Sequence, residues 1–242
     1  MDNGLIYPDI FRDKGIAAFF TDKTVGIDTS KFALSQEPRP MPYMPVQKHT
    51  DTVIILRKGA GLADIDERRE GDAVVTDRDD IIAGVRMADC VPILLYDAVM
   101  GVAGAVHAGW RGTAKGILKA VINVYTEEFG SRAEDILIAL GPSIRGCCYV
   151  VGEEVVEAVT KACGAGDYAI AQNGRLYVDL VRANTAQALS LHIRPENIWA
   201  SGICTSCDSE RFYSYRREGT SRGSQGAFIC TGQSMSWPKV RE

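Results

Sequence analysis

The most informative stretch of the chain is residues 90–112, CVPILLYDAVMGVAGAVHAGWRG. Two apolar runs of strand length, residues 92–96 and residues 102–107, flank a short turn. This pattern predicts a β-hairpin with Cys90 at the entry of one strand and His107 at the exit of the other. The two ends lie side by side in an antiparallel pair, so we expect a thiol beside an imidazole.

Other segments predict further strands and helices around this hairpin. Short apolar runs predict strands near residues 17–20, 53–56, 73–75, 81–85, 136–140, 198–200 and 227–230. Apolar residues at helical spacing predict helices over residues 113–129, 153–163 and 179–191, the last with Asp179 as its N-cap. The chain shows no internal repeat and no linker, so we predict one domain over residues 1–242.

Composition limits the classes of function. The 242 residues are 46% hydrophobic and 24% charged, as in an ordinary globular protein. A net charge of −4 gives no electrostatic reason to bind nucleic acid, and no apolar run is long enough to predict a membrane span. The N-terminus does not look like a secretory signal. Seven irregularly spaced cysteines argue against a disulfide framework, so we expect a cytoplasmic protein with reduced thiols.

Three residues form the candidate metal site: His49, Cys90 and His107. Two imidazoles and a thiolate are sufficient for tetrahedral zinc with a fourth position open to water. Each residue also has a structural interpretation, because a lone cysteine is commonly a small buried apolar residue and a histidine can simply end a strand. The third histidine, His192, ends a predicted helix and is expected to be solvated.

Two segments predict anion binding. Arg111 lies in Gly-Trp-Arg-Gly at the start of the predicted 113–129 helix, where an arginine fork and backbone N–H groups suit phosphate or carboxylate. Residues 211–222, RFYSYRREGTSR, hold four arginines and predict a half-buried strand that feeds a loop. Such a run is either an anion-binding wall or a solvated charged face, and no wider basic field supports nucleic acid.

The remaining cysteine pairs predict no chemistry. Cys204 and Cys207 form a C-x-x-C without a second pair at zinc-ribbon spacing, which favours structural cysteines in a tight turn. Cys147 and Cys148 are adjacent and are interpreted as turn and core.

Seven segments together resemble one family, the bacterial YfiH/YlmD-like proteins, which are also labelled polyphenol oxidoreductase (laccase) and purine nucleoside phosphorylase. In order, the segments are residues 47–49, 72–77, 87–92, 104–112, 141–152, 204–207 and 212–217. The resemblance implies an α/β (α+β) fold, a single compact domain of layered mixed β-sheets flanked by helices. It also implies a zinc-type site on His49, Cys90 and His107. Thr50 departs from the family, in which glycine is frequent at that position.

The resemblance implies phosphorolysis of adenosine, inosine and methylthioadenosine, with adenosine deamination as a second reaction. Zn²⁺ at the site would acidify a water for attack on purine C6, as in zinc deaminases. Cys90, His107 and Asp89 are then the catalytic candidates. Asp89 is predicted to orient a metal ligand or to act as a general acid or base.

Phosphate and nucleoside are therefore the expected small-molecule partners, without nucleic acid or membrane, and the oligomeric state stays open. We infer that Arg111, Arg216 and Arg217 hold the phosphate. Three alternatives remain: a Cu²⁺ polyphenol oxidase, a metal-free hydrolase with Cys90 as nucleophile and His107 as base, and a non-catalytic binding protein. A multicopper centre needs many more histidines than the three present.

Overall fold

The predicted hairpin is present at the centre of the molecule. In the computed structural model of the chain, which describes residues 4–33, 39–59, 69–221, 223–232 and 239–240, strands Val91–Asp97 and Val102–Ala108 pair antiparallel. Their register sets Pro92 opposite His107. Cys90 comes just before the first of these strands and Gly109 just after the second, so the two residues lie at the same end of the hairpin.

The hairpin belongs to a six-stranded mixed sheet, here called the central sheet. Its strands, in spatial order and within the described residues, are Ile198–Ala200, Ile136–Leu140, Val91–Asp97, Val102–Ala108, Ala73–Thr76 and Val53–Leu56. Both faces are buried: Val75 and Ile93 pack towards the helices, whereas Val74 and Leu94 face a second sheet. A sheet covered on both faces explains why these segments read as continuous apolar runs.

The second sheet, here called the outer sheet, has five strands in the described part of the chain. Their order is Leu5–Ile6, Ile16–Thr21, Gln225–Thr231, Ile81–Met87 and Met41–Tyr43. Phe20 and Ala227 on its inner face pack against the central sheet, and Phe19 and Phe228 form a smaller cluster on its outer face. The layers are thus helices, central sheet and outer sheet, an α+β fold of the predicted class.

The helical layer differs from the prediction at one place. Helices Glu153–Cys163 and Leu180–Ser190 are as predicted, and the Asp179 side chain caps the second by accepting from the Arg182 N–H. The prediction of one continuous helix over residues 113–129 was wrong. It begins earlier and is divided by Gly116, whose φ of 81° interrupts the helical backbone. The resulting pieces are helices Trp110–Lys115 and Ile117–Asn123 and the π-helical turn Val124–Glu128.

The segment 211–222 also corrects a prediction. Its centre is a short helix, Tyr215–Glu218, capped by the Ser214 side chain, rather than a half-buried strand. Arg222 lies outside the described residues.

Smaller elements complete the described chain. A three-stranded sheet is formed by Val150–Val151, Arg175–Val178 and Ala169–Gln172, and Phe32–Ala33 pairs with Lys239–Val240. Short 3₁₀ turns lie at Asp9–Phe11, Thr29–Lys31, Ala133–Asp135, Pro195–Asn197 and Gly219–Ser221. Of the helices described, none is both long and apolar enough to cross a bilayer.

Candidate metal centre

The three predicted ligands converge. One donor atom from each of His49, Cys90 and His107 lies within 4.8 Å of the others. The Cys90 Sγ is 3.8 Å from His49 Nε2, and the two imidazole rings meet edge to face with centroids 4.9 Å apart. The third histidine, His192, is exposed at a helix end, as expected.

Gly109 leaves the space in which these ligands meet. A Cβ placed on Gly109 would lie 2.8 Å from Cys90 Sγ and 3.0 Å from His49 Cδ2. Any side chain at residue 109 would therefore displace two of the three ligands. This space, rather than an unusual backbone angle, is the requirement for glycine, since the φ of Gly109 is −75°.

The carboxylate that organises the ligands is Asp72, which the sequence analysis did not identify as a site residue. Asp72 is fully buried, and its Oδ1 lies 2.8 Å from His107 Nδ1. Asp72 also accepts hydrogen bonds from the backbone N–H groups of Lys48, His49 and Thr50. A single carboxylate thus positions one ligand through its ring and another through its backbone.

The hydrogen bonds to Asp72 hold His49 in a left-handed conformation. His49 has a φ of 59°, and the three successive N–H groups around it form a concave anion-binding nest for the Asp72 carboxylate. Thr50 adds a bond from its Oγ1 to Asp72 at 2.8 Å. The Thr50 side chain therefore helps to hold the loop that carries His49.

The charges at the site hold Asp72 and Cys90 in their ionised forms, whereas His107 must lose a proton before it can bind a metal. Burial raises the pKa of Asp72, but hydrogen bonds from His107 and Thr50 more than compensate and hold it well below its usual value. Burial likewise raises the pKa of Cys90, whereas the neighbouring His107 and His49 lower it to about 6. Burial lowers the pKa of His107, but the charge of Cys90 and the bond to Asp72 raise it to about 9 in the metal-free protein.

The donor set fits a tetrahedral zinc-type ion. With bonds of about 2.3 Å to sulfur and about 2.0 Å to nitrogen, a tetrahedral ion separates these ligand atoms by roughly 3.5 Å. The distance from Cys90 Sγ to His49 Nε2 is close to that value. With Nδ1 of His107 directed at Asp72, its Nε2 is left for the metal, which is the usual arrangement of a carboxylate–histidine pair at zinc.

The candidate ligands line two cavities. His49 and Cys90 line a cavity of about 430 Å³, and together with His107 they line a second recess of about 200 Å³. The larger volume is within the range of small-molecule sites. Its other lining residues are Ala88, Asp89, Trp110, Arg111, Ile144, Tyr149, Leu180, Tyr215 and Arg216.

Asp89 lines the larger cavity, but its contacts correct the role predicted for it. Its carboxylate accepts from Thr205 Oγ1 at 2.7 Å, Ser214 Oγ at 3.0 Å and the Arg216 backbone N–H at 2.7 Å. Asp89 itself has a φ of 88°, and these three bonds fix it. It therefore positions the loop that carries Arg216, while Asp72 does the ligand orientation that was predicted for Asp89.

The three arginines predicted to hold phosphate are not equivalent. Arg111 and Arg216 line the cavity, stacked against Trp110 and Tyr149 with their guanidinium carbons 4.4 Å and 5.0 Å from the ring centroids. Arg217 is not among the residues that line the cavity. Its guanidinium donates to the carbonyl oxygens of three residues, namely Thr205, Ser206 and Phe212. Arg217 therefore braces the chain, which corrects its predicted role as a phosphate ligand.

A second cluster was missed because its members are distant in sequence. The sulfurs of Cys147, Cys148, Cys204 and Cys207 also lie within 4.8 Å of one another. Interpreting the first two as turn and core does not account for this meeting. The only sequence signal was the occurrence of a cysteine pair in two of the seven family-like segments.

Comparison with known proteins relates the chain to named relatives. A family model described as multi-copper polyphenol oxidoreductase laccase matches residues 23–232. A Clostridium acetobutylicum protein named purine nucleoside phosphorylase is 42% identical over 167 residues, 67% of this chain and 68% of that protein. Adenosine deaminase RL5, from an unknown prokaryotic organism, is 39% identical over 187 residues, 74% of this chain and 71% of that protein. The structure of YlmD from Geobacillus stearothermophilus superposes with a TM-score of 0.80 at 26% identity, covering 100% of this chain and 98% of that one.

Proposed function

Because the chain belongs to the multi-copper polyphenol oxidoreductase laccase family, in which relatives carry the names purine nucleoside phosphorylase and adenosine deaminase, we propose that it is a zinc-dependent purine nucleoside phosphorylase with a second, adenosine deaminase activity. Its proposed substrates are adenosine, inosine and methylthioadenosine. The observation that carries the proposal is the position of the His49–Cys90–His107 ligand set, which opens into a cavity that also presents two arginines and three aromatic rings.

The arginines of the cavity provide the phosphate subsite. Arg111 and Arg216 reach the cavity from different elements, the start of helix Trp110–Lys115 and the helix Tyr215–Glu218. Two guanidinium groups suit a dianion, because each offers a planar pair of N–H donors. Asp89 accepts from the Arg216 backbone N–H, so it fixes the position from which the Arg216 side chain extends into the cavity.

The aromatic residues provide a purine subsite. Trp110, Tyr149 and Tyr215 line the same cavity. A purine is flat and apolar on its faces, so stacking on such rings binds it without regard to the sugar substituent. This arrangement agrees with a group of substrates that share a purine and differ at C6 or at the 5′ position.

Phosphorolysis needs a nucleophile held at C1′ and a departing purine that gains a proton. A phosphate oxygen forms a bond to C1′ as the C1′–N9 bond breaks, and the purine leaves with the electron pair. The proton that the purine gains is the one that hydrogen phosphate loses as its oxygen bonds to C1′. Tyr149 lines the cavity, and burial and then the charge of Cys90 raise its pKa to about 12, so its phenol stays protonated and can donate a hydrogen bond to the departing purine. Arg111 and Arg216 orient the phosphate and balance its charge.

Deamination uses the same purine subsite without phosphate. Water supplies the oxygen that replaces the C6 amino group, which leaves as ammonia. When bound, zinc supplies Lewis-acid polarisation and lowers the pKa of water. The protein residues hold the ligand geometry: Asp72 orients His107, and Gly109 leaves the ligands room to meet.

One alternative has specific support in the geometry. Cys90, His107 and Asp72 also form the sequence of nucleophile, base and orienting carboxylate found in cysteine hydrolases. A metal on the three ligands would prevent that chemistry by binding the thiolate. Copper on the same ligands is the other alternative, because Cu²⁺ binds nitrogen ligands more tightly than Zn²⁺ does.

The proposal is tested with purified, metal-quantified protein incubated with each nucleoside, with and without inorganic phosphate. Chromatography should show free purine and the corresponding pentose 1-phosphate only when phosphate is present, and inosine from adenosine in either case. Chelation should remove both activities and Zn²⁺ should restore them. Nucleoside turnover that persists or appears after chelation, without added Zn²⁺, would favour the hydrolase. Phenol oxidation by the Cu²⁺-loaded protein without any nucleoside turnover would favour the oxidase.

A further inference from the structure

The four-cysteine cluster is separate from the site described above, and its arrangement is that of a metal centre. We propose that Cys147, Cys148, Cys204 and Cys207 bind a second, structural metal ion, a thiophilic divalent cation of the Zn²⁺ type. Two of these cysteines are exposed and two are half-buried, so an ion has access to the cluster from solvent. This proposal does not depend on the reaction at the first site.

The sulfur–sulfur distances match the edges of a tetrahedron around zinc. Four thiolates at about 2.3 Å from a central ion lie about 3.8 Å from one another. Cys147 Sγ is 3.7 Å from Cys148 Sγ and 3.6 Å from Cys207 Sγ, and Cys148 Sγ is 3.3 Å from Cys207 Sγ. Cys204 Sγ lies within 4.8 Å of all three. Four sulfurs around one point are the full ligand set of a closed structural site.

Strand pairing brings the two cysteine pairs together. The parallel strands Ile136–Leu140 and Ile198–Ala200 end side by side, and the chain beyond them stays paired through a bridge between Ser143 and Cys204. The Thr205 N–H donates to the Ser143 carbonyl at 3.1 Å. The two loops therefore run together because of the central sheet, and this pairing brings the cysteines together.

Hydrogen bonds that need no ion also hold the backbone around the cysteines. Asp179 accepts from Arg145 Nε at 3.0 Å and from the Gly146 N–H at 3.4 Å, which secures the residues that precede Cys147. On the other loop, the Asp208 N–H donates to the Cys204 carbonyl at 3.0 Å. A site whose ligands are already positioned loses less conformational freedom when it binds an ion.

Backbone N–H groups also point at one of the sulfurs. The backbone N–H groups of Arg145 and Cys207 donate to the Cys204 sulfur. Donation from the second cysteine of a C-x-x-C to the sulfur of the first stabilises the negative charge of a metal-bound thiolate. A disulfide uses only two of the four sulfurs and needs a bond of about 2.05 Å, well short of the 3.3 Å that separates Cys148 from Cys207.

The cluster is linked to the first site through one residue. Thr205 lies between the two cysteines of the C-x-x-C, and its Oγ1 donates to Asp89 at 2.7 Å. Asp89 precedes the metal ligand Cys90 and holds the backbone of Arg216. An ion in the cluster would therefore fix one wall of the substrate cavity without contacting the substrate.

The test requires a protein in which only the second site can hold metal. In the double variant His49→Ala/Cys90→Ala, the first site keeps one of its three ligands. Metal analysis of this variant after gel filtration should find one zinc per chain. Adding Cys204→Ser and Cys207→Ser should remove that zinc, whereas adding Cys163→Ser and Cys230→Ser, two cysteines outside both clusters, should leave it.

Cobalt and alkylation give readouts that do not depend on the quadruple variant folding. Co²⁺ loaded into His49→Ala/Cys90→Ala should show thiolate-to-metal charge transfer and the visible bands of tetrahedral cobalt. Zinc should protect all four cluster cysteines from iodoacetamide, and a chelator should expose them. The proposal is overturned if the double variant holds no zinc and shows no such spectrum. It is also overturned if mass spectrometry of unreduced protein finds two of these cysteines joined by a disulfide.

Discussion

The Asp72 Oδ1 lies 2.8 Å from His107 Nδ1, and the same oxygen accepts the backbone N–H of His49 at 3.0 Å. One buried carboxylate thus positions two candidate metal ligands that are 58 residues apart in the chain. The candidate metal centre is therefore built around Asp72 as much as around the ligands themselves.

Removing the charge of Asp72 should weaken metal binding. In Asp72→Asn, one amide oxygen replaces two carboxylate oxygens that accept from His107, Thr50 and two further backbone N–H groups. Zinc affinity, measured by competition with a chromophoric chelator, should fall about 10- to 100-fold. The free energy of unfolding should fall by about 1–3 kcal/mol, because buried donors lose their acceptor.

Asp77→Asn is the matched control for this variant. Asp77 ends the same segment and accepts from the Lys58 N–H at 2.7 Å, without contact to a ligand in the described structure. Equal losses of zinc affinity in Asp72→Asn and Asp77→Asn would contradict the role given to Asp72.

A methyl group at residue 109 should abolish metal binding while the fold persists. In Gly109→Ala, the new Cβ would lie 2.8 Å from Cys90 Sγ, so the thiol has to move out of the ligand set. Circular dichroism should be unchanged and zinc content should fall to background. Gly112→Ala is the control, since its Cβ would meet neighbours only at 3.4 Å and beyond. A Gly109→Ala protein with full zinc content would show that the ligands meet elsewhere.

Replacing Arg216 by glutamine should affect phosphate binding, whereas replacing Arg217 by glutamine should affect stability. Arg216→Gln should raise the KM for phosphate about tenfold or more, because a charge-assisted contact is lost, and should leave deamination almost unchanged. Arg217→Gln should lower the Tm instead, since its guanidinium holds backbone carbonyl oxygens. Steady-state kinetics and thermal unfolding of both variants separate the effects. A larger rise in phosphate KM for Arg217→Gln would reverse the assignment.

The thiol of Cys90 should have a pKa below that of an ordinary cysteine in the metal-free protein. Its pKa of about 6 makes it a thiolate above that pH, so alkylation by iodoacetamide should be half-maximal near pH 6. The stability that this charge contributes is present above the ordinary thiol pKa and is lost as pH falls through about 6. Cys163, whose pKa burial raises to about 11, is an internal control that should stay unreactive at pH 7. A midpoint for Cys90 near 8.5, the value of an ordinary thiol, would contradict the geometry.

Local patterns were sufficient to predict the elements that carry the ligands. The hairpin, and with it the neighbourhood of Cys90 and His107, followed from two apolar runs and a turn, because strand pairing within a hairpin is local. The family predicted from seven ordered motifs is confirmed. The split at Gly116 was not predicted, since a glycine inside an apolar helical pattern is compatible with a continuous helix.

Contacts between distant loops could not be predicted from the sequence. Asp72 was visible only as the first residue of a motif, and nothing local showed that its carboxylate reaches His107 and the backbone of His49. We predicted that Asp89 orients a ligand because it is adjacent to Cys90. Its carboxylate instead accepts from Thr205 and Ser214. The direction of a side chain depends on its backbone conformation, and both His49 and Asp89 have the positive φ that non-glycine residues rarely adopt.

The central claim is that a metal held by His49, Cys90 and His107 supports phosphate-dependent cleavage of purine nucleosides. Its most direct test is the release of adenine from adenosine and phosphate by metal-quantified wild-type protein, Cys90→Ala and the control Cys163→Ala. If the claim holds, wild type and Cys163→Ala carry zinc at this site and release adenine, whereas Cys90→Ala folds, loses that zinc and releases none. Cys90→Ala that turns over adenosine at the wild-type rate would contradict it.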